Sequence, residues 1–364
     1  MYATAAARVV AVVVHLVTAG LLLGGLTLLL GAWHRGVLVV PGLALLASGF
    51  ALCPRPGRLR SELPVVREPD APELFRLVHD VAHAVGVRRI DLVQLTPECS
   101  VTVARYGLLR TPCLLLGLPL WAAHLPQQRV AALAHALAHL SPHHVRHGAL
   151  IGTALDSLAV GPGRVRTSPE ARLPYGSLAQ AWRAGDIVEA ERHFNARGRR
   201  GDLASWAVLW IPRAVASATR RLLVRLTRSA TQRAEAEAEL ATARTASSDA
   251  AVAVLDRHLA RATALEMHRL VVEARTFGGR RSATASREDL WVKLARHATR
   301  VRADQDASRR AGQDRSLSAP CHTAAVTLDA SRRRRIAAEL RDPQREVALM
   351  VLRDGIPEPA GFEA

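Results

Sequence analysis

Two long apolar stretches open the chain. Residues 9–33 give twenty-five consecutive positions without a formal charge, and a second uncharged run occupies residues 37–53. The first run is long enough to cross a bilayer as a helix, and the second is just long enough. A cleaved signal peptide is the alternative, but its apolar core would be only about 7–15 residues long. The pattern therefore predicts a transmembrane helical hairpin within residues 1–57.

The charges around this hairpin predict its orientation. Arg8 precedes the first run and several arginines follow the second, whereas Arg35 alone lies in the turn. Because cytoplasmic flanks carry the excess of positive charge, we expect a multi-pass protein of the cell membrane whose main domain faces the cytoplasm. Two later apolar stretches, 148–160 and 203–217, are too short to span and are predicted to be short buried or interfacial helices. His15, inside the first span, is expected to face the partner helix.

A helical apolar stripe follows the hairpin. It starts after Asp70, a candidate N-cap, and ends at Gly86, a residue typical of helix C-termini. The apolar members of the stripe are Leu74, Leu77, Val78, Val81 and Val85. Their spacing predicts one amphipathic helix that packs on a core.

Three runs rich in β-branched and apolar residues come next, at 90–95, 100–106 and 113–118. Proline and glycine residues separate them, so they predict a small antiparallel sheet. A second helix is predicted over residues 126–140, and it ends before Pro142, whose ring would clash with the preceding turn.

These elements predict an α+β, mainly helical fold. Residues 58–160 contain the first helix, the small sheet and a histidine-bearing helix. Residues 161–202 are rich in Gly, Pro and Arg and predict an irregular insertion. Residues 203–275 form a helical part with a break at Ser247 and Ser248, and residues 276–364 form a helical C-terminal region and tail.

Composition limits the classes of function. A hydrophobic content of 49% supplies a sizeable core and excludes disorder throughout the chain. The formal charge of +17 comes almost entirely from arginine, since Lys293 is the only lysine. The arginines are spread along the chain and no nucleic-acid-binding motif is evident, so a membrane-tethered nucleic-acid binder ranks last. The four cysteines show no CxxC spacing, which fits a reducing compartment.

The candidate chemistry lies in the segment HALAH, in which His135 and His139 are four residues apart. Residues at this spacing share one face of a helix, so both imidazoles can bind one metal ion. Three glutamates of a distant EAEAE segment, Glu235, Glu237 and Glu239, could supply a third ligand.

Two other arrangements of histidines stay open. At HALAH, the alternative to a metal site is a pair of partly buried histidine side chains. His79 and His83 have the same spacing but fall on a polar helix face, which favours a solvated surface there. A histidine stripe that continues from HALAH through His143 and His147, with His144 beside it, would require the helix to pass Pro142.

The order of these parts resembles a known family. The membrane hairpin, the segments EPDAPELFRLVHDVAHAVGV and LLLGLPLWAAHLPQQRVAALAHALAH, and the distant EAEAE are together similar to the HtpX-type membrane zinc metallopeptidases. The resemblance implies a zinc-metallopeptidase-like domain, with Zn²⁺ held by His135, His139 and Glu235. Members of that family have the catalytic glutamate at the position of Ala136. At the position of Glu239 they have an aspartate that orients a ligand. Only a scrambled trace of the family's His-Pro-Pro segment is present, in SAPCHT near His322.

The resemblance and its departures together imply a function. A general base typically contributes about 10²- to 10⁴-fold in rate, and Ala136 cannot act as one. We therefore expect a pseudo-peptidase that can still bind zinc, or a peptide or protein, for a regulatory or scaffold role. The alternative is an active zinc endopeptidase on membrane or misfolded proteins that uses another carboxylate, such as Glu98. In the family an extended peptide is added to a sheet edge, and the corresponding edge here is predicted at 113–118, around Leu114, Leu115 and Leu116. The oligomeric state is not predicted.

Overall fold

The computed structural model describes residues 2–31, 36–53, 59–107, 111–141, 150–155, 157–158, 187–277, 285–311 and 323–354. The fold is mainly helical with a small mixed sheet. The chain divides into two compact units. The first contains Met1–Arg55 and Arg146–Thr231, and the second contains Pro56–Val145 and Gln232–Ala364.

Two antiparallel apolar helices begin the first unit. Helix α1 spans Tyr2–Gly31, and helix α2 spans Val39–Leu52 after a short 3-10 turn. Glycine allows their close approach, because a Cβ atom on Gly25 would lie only 2.8 Å from both the backbone nitrogen and Cγ of Leu46. A larger residue at this crossing would therefore force the two helices apart.

Helix α1 is long and apolar enough to cross a bilayer. The qualifying stretch is Ala5–Gly31, with 27 residues, and it is the one such helix among the described residues. The second apolar helical stretch, Gly36–Leu52, is too short to count as a candidate span. One candidate span is therefore found where the sequence predicted two, and the second crossing and the cytoplasmic orientation remain predictions.

The N-terminal half of α1 packs on the helical segment at residues 150–155 and 157–158. Ala7, Ala11 and Val14 share a buried cluster with Ile151, Ala154, Leu158 and Leu223. His15 lies beside this cluster, with its Nε2 atom 3.2 Å from Thr153 Oγ1. The prediction that His15 faces the partner helix of the hairpin is wrong, because its hydrogen-bonding partner comes from this later segment.

One continuous helix corrects the prediction for the middle of the chain. Helix α6 spans Ile187–Ala246, a length of 60 residues. The part of the predicted insertion from Ile187 onward is therefore helical, and residues 203–217 belong to this long helix and do not form a short helix of their own. Glycine and arginine can occupy the interior of a helix, and proline, as at position 212, can do so at a larger cost in helix stability. Residues 161–186 lie outside the described part of the chain.

The predicted helix break is confirmed. Helix α6 ends at Ala246 and helix α7 spans Ser248–Leu255, and between them Ser247 has a φ of 110°. A positive φ interrupts the helical hydrogen bonds, and the Ser247 hydroxyl then accepts a hydrogen bond from the Ala250 N–H. Helix α8 follows over Arg257–Phe277.

The second unit contains a four-stranded sheet. Its strands are β1 (Val65–Val66), β2 (Val93–Thr96), β3 (Val101–Tyr106) and β4 (Thr111–Gly117), in the order β1-β2-β4-β3. Strands β2 and β4 are parallel, and the other two pairs are antiparallel. The prediction of a purely antiparallel sheet is wrong because β3 lies outside β4. The chain turns back from β3 into β4, which then enters beside β2 in the same direction.

Helix α3 spans Pro72–Val85 and ends, as predicted, at Gly86, which has a φ of 78°. Its apolar stripe is buried, except for the partly buried Val85. Asp70 is not the N-cap, because its carboxylate accepts from the Arg67 N–H. The N-terminus of α3 is stabilised by Glu339, whose carboxylate accepts hydrogen bonds from the backbone N–H groups of Glu73 and Leu74, at 2.9 and 3.0 Å.

The remaining helices of the second unit complete one large core. They are α4 (Leu118–Ala123), α5 (Pro126–Ala138), α9 (Ala285–Ala311), α10 (Ala330–Glu339) and α11 (Arg341–Asp354). Helix α5 packs against α3, α7 and strand β3. The histidine-bearing helix is therefore enclosed by the core on most of its circumference, as its apolar sequence predicts.

Candidate metal centre

Helix α5 presents two histidines from an otherwise buried surface. From Val130 to Ala138 every residue is buried except His135, and His139 follows directly as the C-terminal cap. Small and apolar side chains let this part of the helix lie deep in the core, so from Val130 onward the two imidazoles are the polar groups that reach the surface. Their rings are nearly perpendicular, with centroids 5.0 Å apart.

Glu235 of α6 completes a group of three metal-binding side chains. Its Oε2 atom lies 3.8 Å from His135 Nε2 and 3.9 Å from His139 Nε2. One candidate ligand atom from each residue lies within 4.8 Å of the other two. Among the residues that the structure describes, this is the one such cluster of histidine, cysteine and carboxylate groups.

Gln127 fixes the two contributing helices together. Its Nε2 atom donates to the carbonyl oxygens of Ala246, at the end of α6, and of Val326, both at 2.7 Å. Eight residues separate Gln127 from His135, and eleven separate Glu235 from Ala246, which correspond to about 12 and 16 Å along the two helices. The helices therefore run in opposite directions between this anchor and the metal centre. No local sequence signal marks Gln127 for this role.

The three side chains fit a zinc ion. Zinc–nitrogen and zinc–oxygen distances of about 2.0–2.2 Å place tetrahedral ligand atoms about 3.3 Å apart. The two histidine–glutamate separations of 3.8 and 3.9 Å thus need to close by about half an ångström. All three ligand atoms lie within 4.8 Å of one another, so rotamer adjustment can bring them to one ion. Two imidazoles and one carboxylate form the donor set of catalytic zinc sites, in which a water molecule takes the fourth position. The side chains are 23%, 39% and 48% exposed for His135, His139 and Glu235, so water can reach that position.

His135 lacks the support that metal-binding histidines usually have. Its Nδ1 atom is buried and has no hydrogen-bonding partner within the described part of the chain. An acceptor at this position normally holds the ring in place, and its loss typically reduces metal affinity by about 10- to 100-fold. Glu239, which the resemblance implies as a ligand-orienting residue, is exposed one turn after Glu235. Its role there remains a prediction.

The position at which the resemblance implies a catalytic glutamate is buried. Ala136 is only 2% exposed and belongs to the main core, so its methyl group packs among apolar neighbours. The alternative base, Glu98, forms an ion pair with Arg60 at 3.1 Å. Its carboxylate is therefore paired with a guanidinium, and it is not part of the metal-binding group. Among the described residues, Glu235 is the one carboxylate in the metal-binding group.

The predicted peptide-binding strand is not at a sheet edge. Leu114, Leu115 and Leu116 lie in β4, which pairs with β2 on one side and with β3 on the other. Both sides of β4 are therefore used within the sheet, and the prediction is wrong. The strands at the two edges of the described sheet are β1 and β3, and β3 contacts the histidine-bearing helix.

The two other histidines with helical spacing that the structure describes, His79 and His83, do not join the centre. His83 is exposed, as expected for a polar helix face. His79 is partly buried, with its Nε2 atom 3.2 Å from the Ile90 carbonyl oxygen and its ring against Phe75, so the prediction of a solvated surface is wrong for this residue. His143, His144 and His147, and the SAPCHT segment apart from its final threonine, lie outside the described residues.

Comparisons of the chain with protein-family models, with curated proteins and with solved structures found no match. The assignment of this centre therefore rests on its geometry and on the chemistry of its three side chains. The His135–His139 pair followed from spacing alone, whereas the choice of Glu235 among three glutamates came from the resemblance.

Proposed function

We propose that this chain is a membrane-anchored, cytoplasm-facing zinc-binding protein of the HtpX-like peptidase type, with impaired or absent proteolysis. The observation that carries the proposal is the convergence of His135, His139 and Glu235 from two helices at distances that a zinc ion can bridge. The apolar helix α1 supports the membrane anchor.

The residues of the centre divide into those that hold a metal and those that catalysis would require. Both imidazole Nε2 atoms and the Glu235 carboxylate would hold zinc, which supplies Lewis-acid activation of a water molecule or a carbonyl group when bound. Hydrolysis of a peptide further requires a group that accepts a proton from the attacking water. The buried methyl group of Ala136 occupies that place, so metal binding and hydrolysis are separated in this chain.

Retained peptide binding is the activity that this arrangement supports. The outer side of β3 is not paired with another strand of the described sheet, and β3 packs against the helix that carries His135. An extended peptide can add to such an edge through main-chain hydrogen bonds, whether or not it is cut. A regulatory or scaffold role on membrane or misfolded proteins would use this capacity.

An active zinc endopeptidase is the second candidate. The three-ligand, solvent-open geometry favours it, because structural zinc sites normally use four protein ligands. The deciding experiment measures casein cleavage by the purified full-length protein in detergent, with zinc and then with a chelator. We expect no chelator-sensitive cleavage above that of the His135→Ala variant. Robust cleavage that the chelator and His135→Ala both abolish would establish the enzyme and overturn the pseudo-peptidase proposal.

A further inference from the structure

A cluster of cationic and imidazole groups lies where helix α4 meets helix α5. His124 sits between the two helices, Arg129 lies in the first turns of α5, and Arg302 comes from α9. None of these side chains belongs to the metal centre, and Arg129 precedes His135 by six residues.

His124 is buried with an unused polar atom. The residue is 6% exposed, and its Nδ1 atom has no hydrogen-bonding partner within the described part of the chain. Burial, together with the nearby charges of Arg129 and Arg302, lowers the pKa of His124 to about 4. The imidazole is thus neutral at pH 7, and its protonated nitrogen can still donate one hydrogen bond.

Arg129 is a half-buried cation that pairs with no carboxylate among the described residues. Its Nε atom donates to the His124 carbonyl oxygen at 3.2 Å, and its guanidinium carbon lies 5.0 Å from the centre of the Trp121 ring. Among the described residues, these contacts use one of the five N–H donors of Arg129 and leave four without a partner. Burial, followed by the charge of Arg333, lowers the pKa of Arg129 to about 10. A partly desolvated guanidinium with free donors favours an anionic partner.

Two further features add positive potential at this corner. The Nη1 atom of Arg302 donates to the carbonyl oxygen of Ala123, which places a second guanidinium beside His124. The N-terminus of α5, a helix of 13 residues, lies at the same corner and contributes the positive end of its dipole. No acidic group is among the causes that shift the pKa of His124 or of Arg129.

We propose that this corner, formed by His124, Arg129 and Arg302, is a binding site for a small oxyanion of the phosphate or carboxylate class. The N–H groups of Arg129 that have no described partner match the paired oxygens of such a group, and the guanidinium lies over the Trp121 ring. The proposal is independent of the metal centre, because it uses no residue of that site.

The test is thermal unfolding of the full-length protein in detergent, with inorganic phosphate or acetate titrated against chloride at constant ionic strength. We expect a saturable rise in Tm with one of the two anions, which identifies the class. We expect the apparent Kd to rise at least tenfold in Arg129→Gln and to be unchanged in Arg334→Gln, which removes an exposed arginine of α10. Arg129→Lys keeps the positive charge but lacks the paired N–H donors of the guanidinium, so we expect it to bind the anion more weakly. This variant provides the test if Arg129→Gln does not fold.

Two results would overturn the proposal. One is an equal response to phosphate, acetate and chloride in the natural protein. The other is an equal response to the preferred anion in the Arg129 variants and in Arg334→Gln, which would mean that the anion acts on the surface charge as a whole.

Discussion

Ala136→Glu places a glutamate where the HtpX-type peptidases that the sequence resembles carry one, and the structure predicts that it destabilises the protein. Ala136 is 2% exposed and belongs to the main core, which also contains the fully buried Leu133 and Leu137. A glutamate adds four heavy atoms there. Overpacking costs about 1–3 kcal/mol, and burial of an unpaired polar group costs a further 1–3 kcal/mol or so. The expected loss of about 2–6 kcal/mol is a large part of a typical folding stability.

The assay is chemical or thermal unfolding of the natural protein and two variants. For a unit of roughly 200 residues, a loss of that size lowers Tm by roughly 4–24 °C. Ala264→Glu is the matched control, because Ala264 is an exposed position in the interior of helix α8 and its substitution should stay within about 0.5 kcal/mol of the natural protein. If Ala136→Glu proves as stable as Ala264→Glu, the argument that packing excludes a glutamate at this position is refuted.

Three further predictions concern the anchor, the hairpin and pH. Gln127→Ala leaves two carbonyl oxygens without their donor, so it should lower the free energy of unfolding by about 1–3 kcal/mol and weaken zinc binding. An unchanged zinc affinity would refute the positioning role of Gln127. Gly25→Ala should weaken the pairing of α1 with α2 in detergent. Gly24→Ala should not, because its Cβ would meet only Leu45 Cδ1, at 3.9 Å. Equal behaviour of the two variants would refute the close crossing. Because the folded pKa of His124, about 4, is below the unfolded value, its neutral form stabilises the fold above about pH 6.5, and this contribution is lost as pH falls towards 4. His124→Gln should therefore flatten the pH dependence of Tm in this window, and an unchanged slope would contradict the burial of His124.

Local patterns predicted the parts of the fold whose causes are local. The helical stripe of α3 and its end at Gly86 are confirmed, since both depend on residues within a few turns. The break at Ser247 is confirmed for the same reason, because two adjacent serines compete with the backbone for hydrogen bonds.

The parts that the sequence did not predict depend on distant partners. Glu339 stabilises the start of α3 from more than 260 residues away, so Asp70 was the only visible candidate. The parallel pairing of β2 with β4 follows from the placement of β3 at the edge, and strands of four to seven residues carry no pattern that distinguishes this order. In the metal centre, helical spacing predicts the histidine pair, but nothing in EAEAE alone selects Glu235 from its two neighbours.

The central claim is that His135, His139 and Glu235 bind one zinc ion. The most direct measurement is the zinc content per chain, by elemental analysis after equilibration with zinc and removal of the excess. The account predicts about one zinc for the natural protein, for His83→Ala and for Glu237→Gln, which change an exposed histidine and a neighbouring glutamate outside the centre. It predicts a strong loss for His135→Ala and Glu235→Gln. Equal zinc in all five proteins, or none in the natural one, would contradict it.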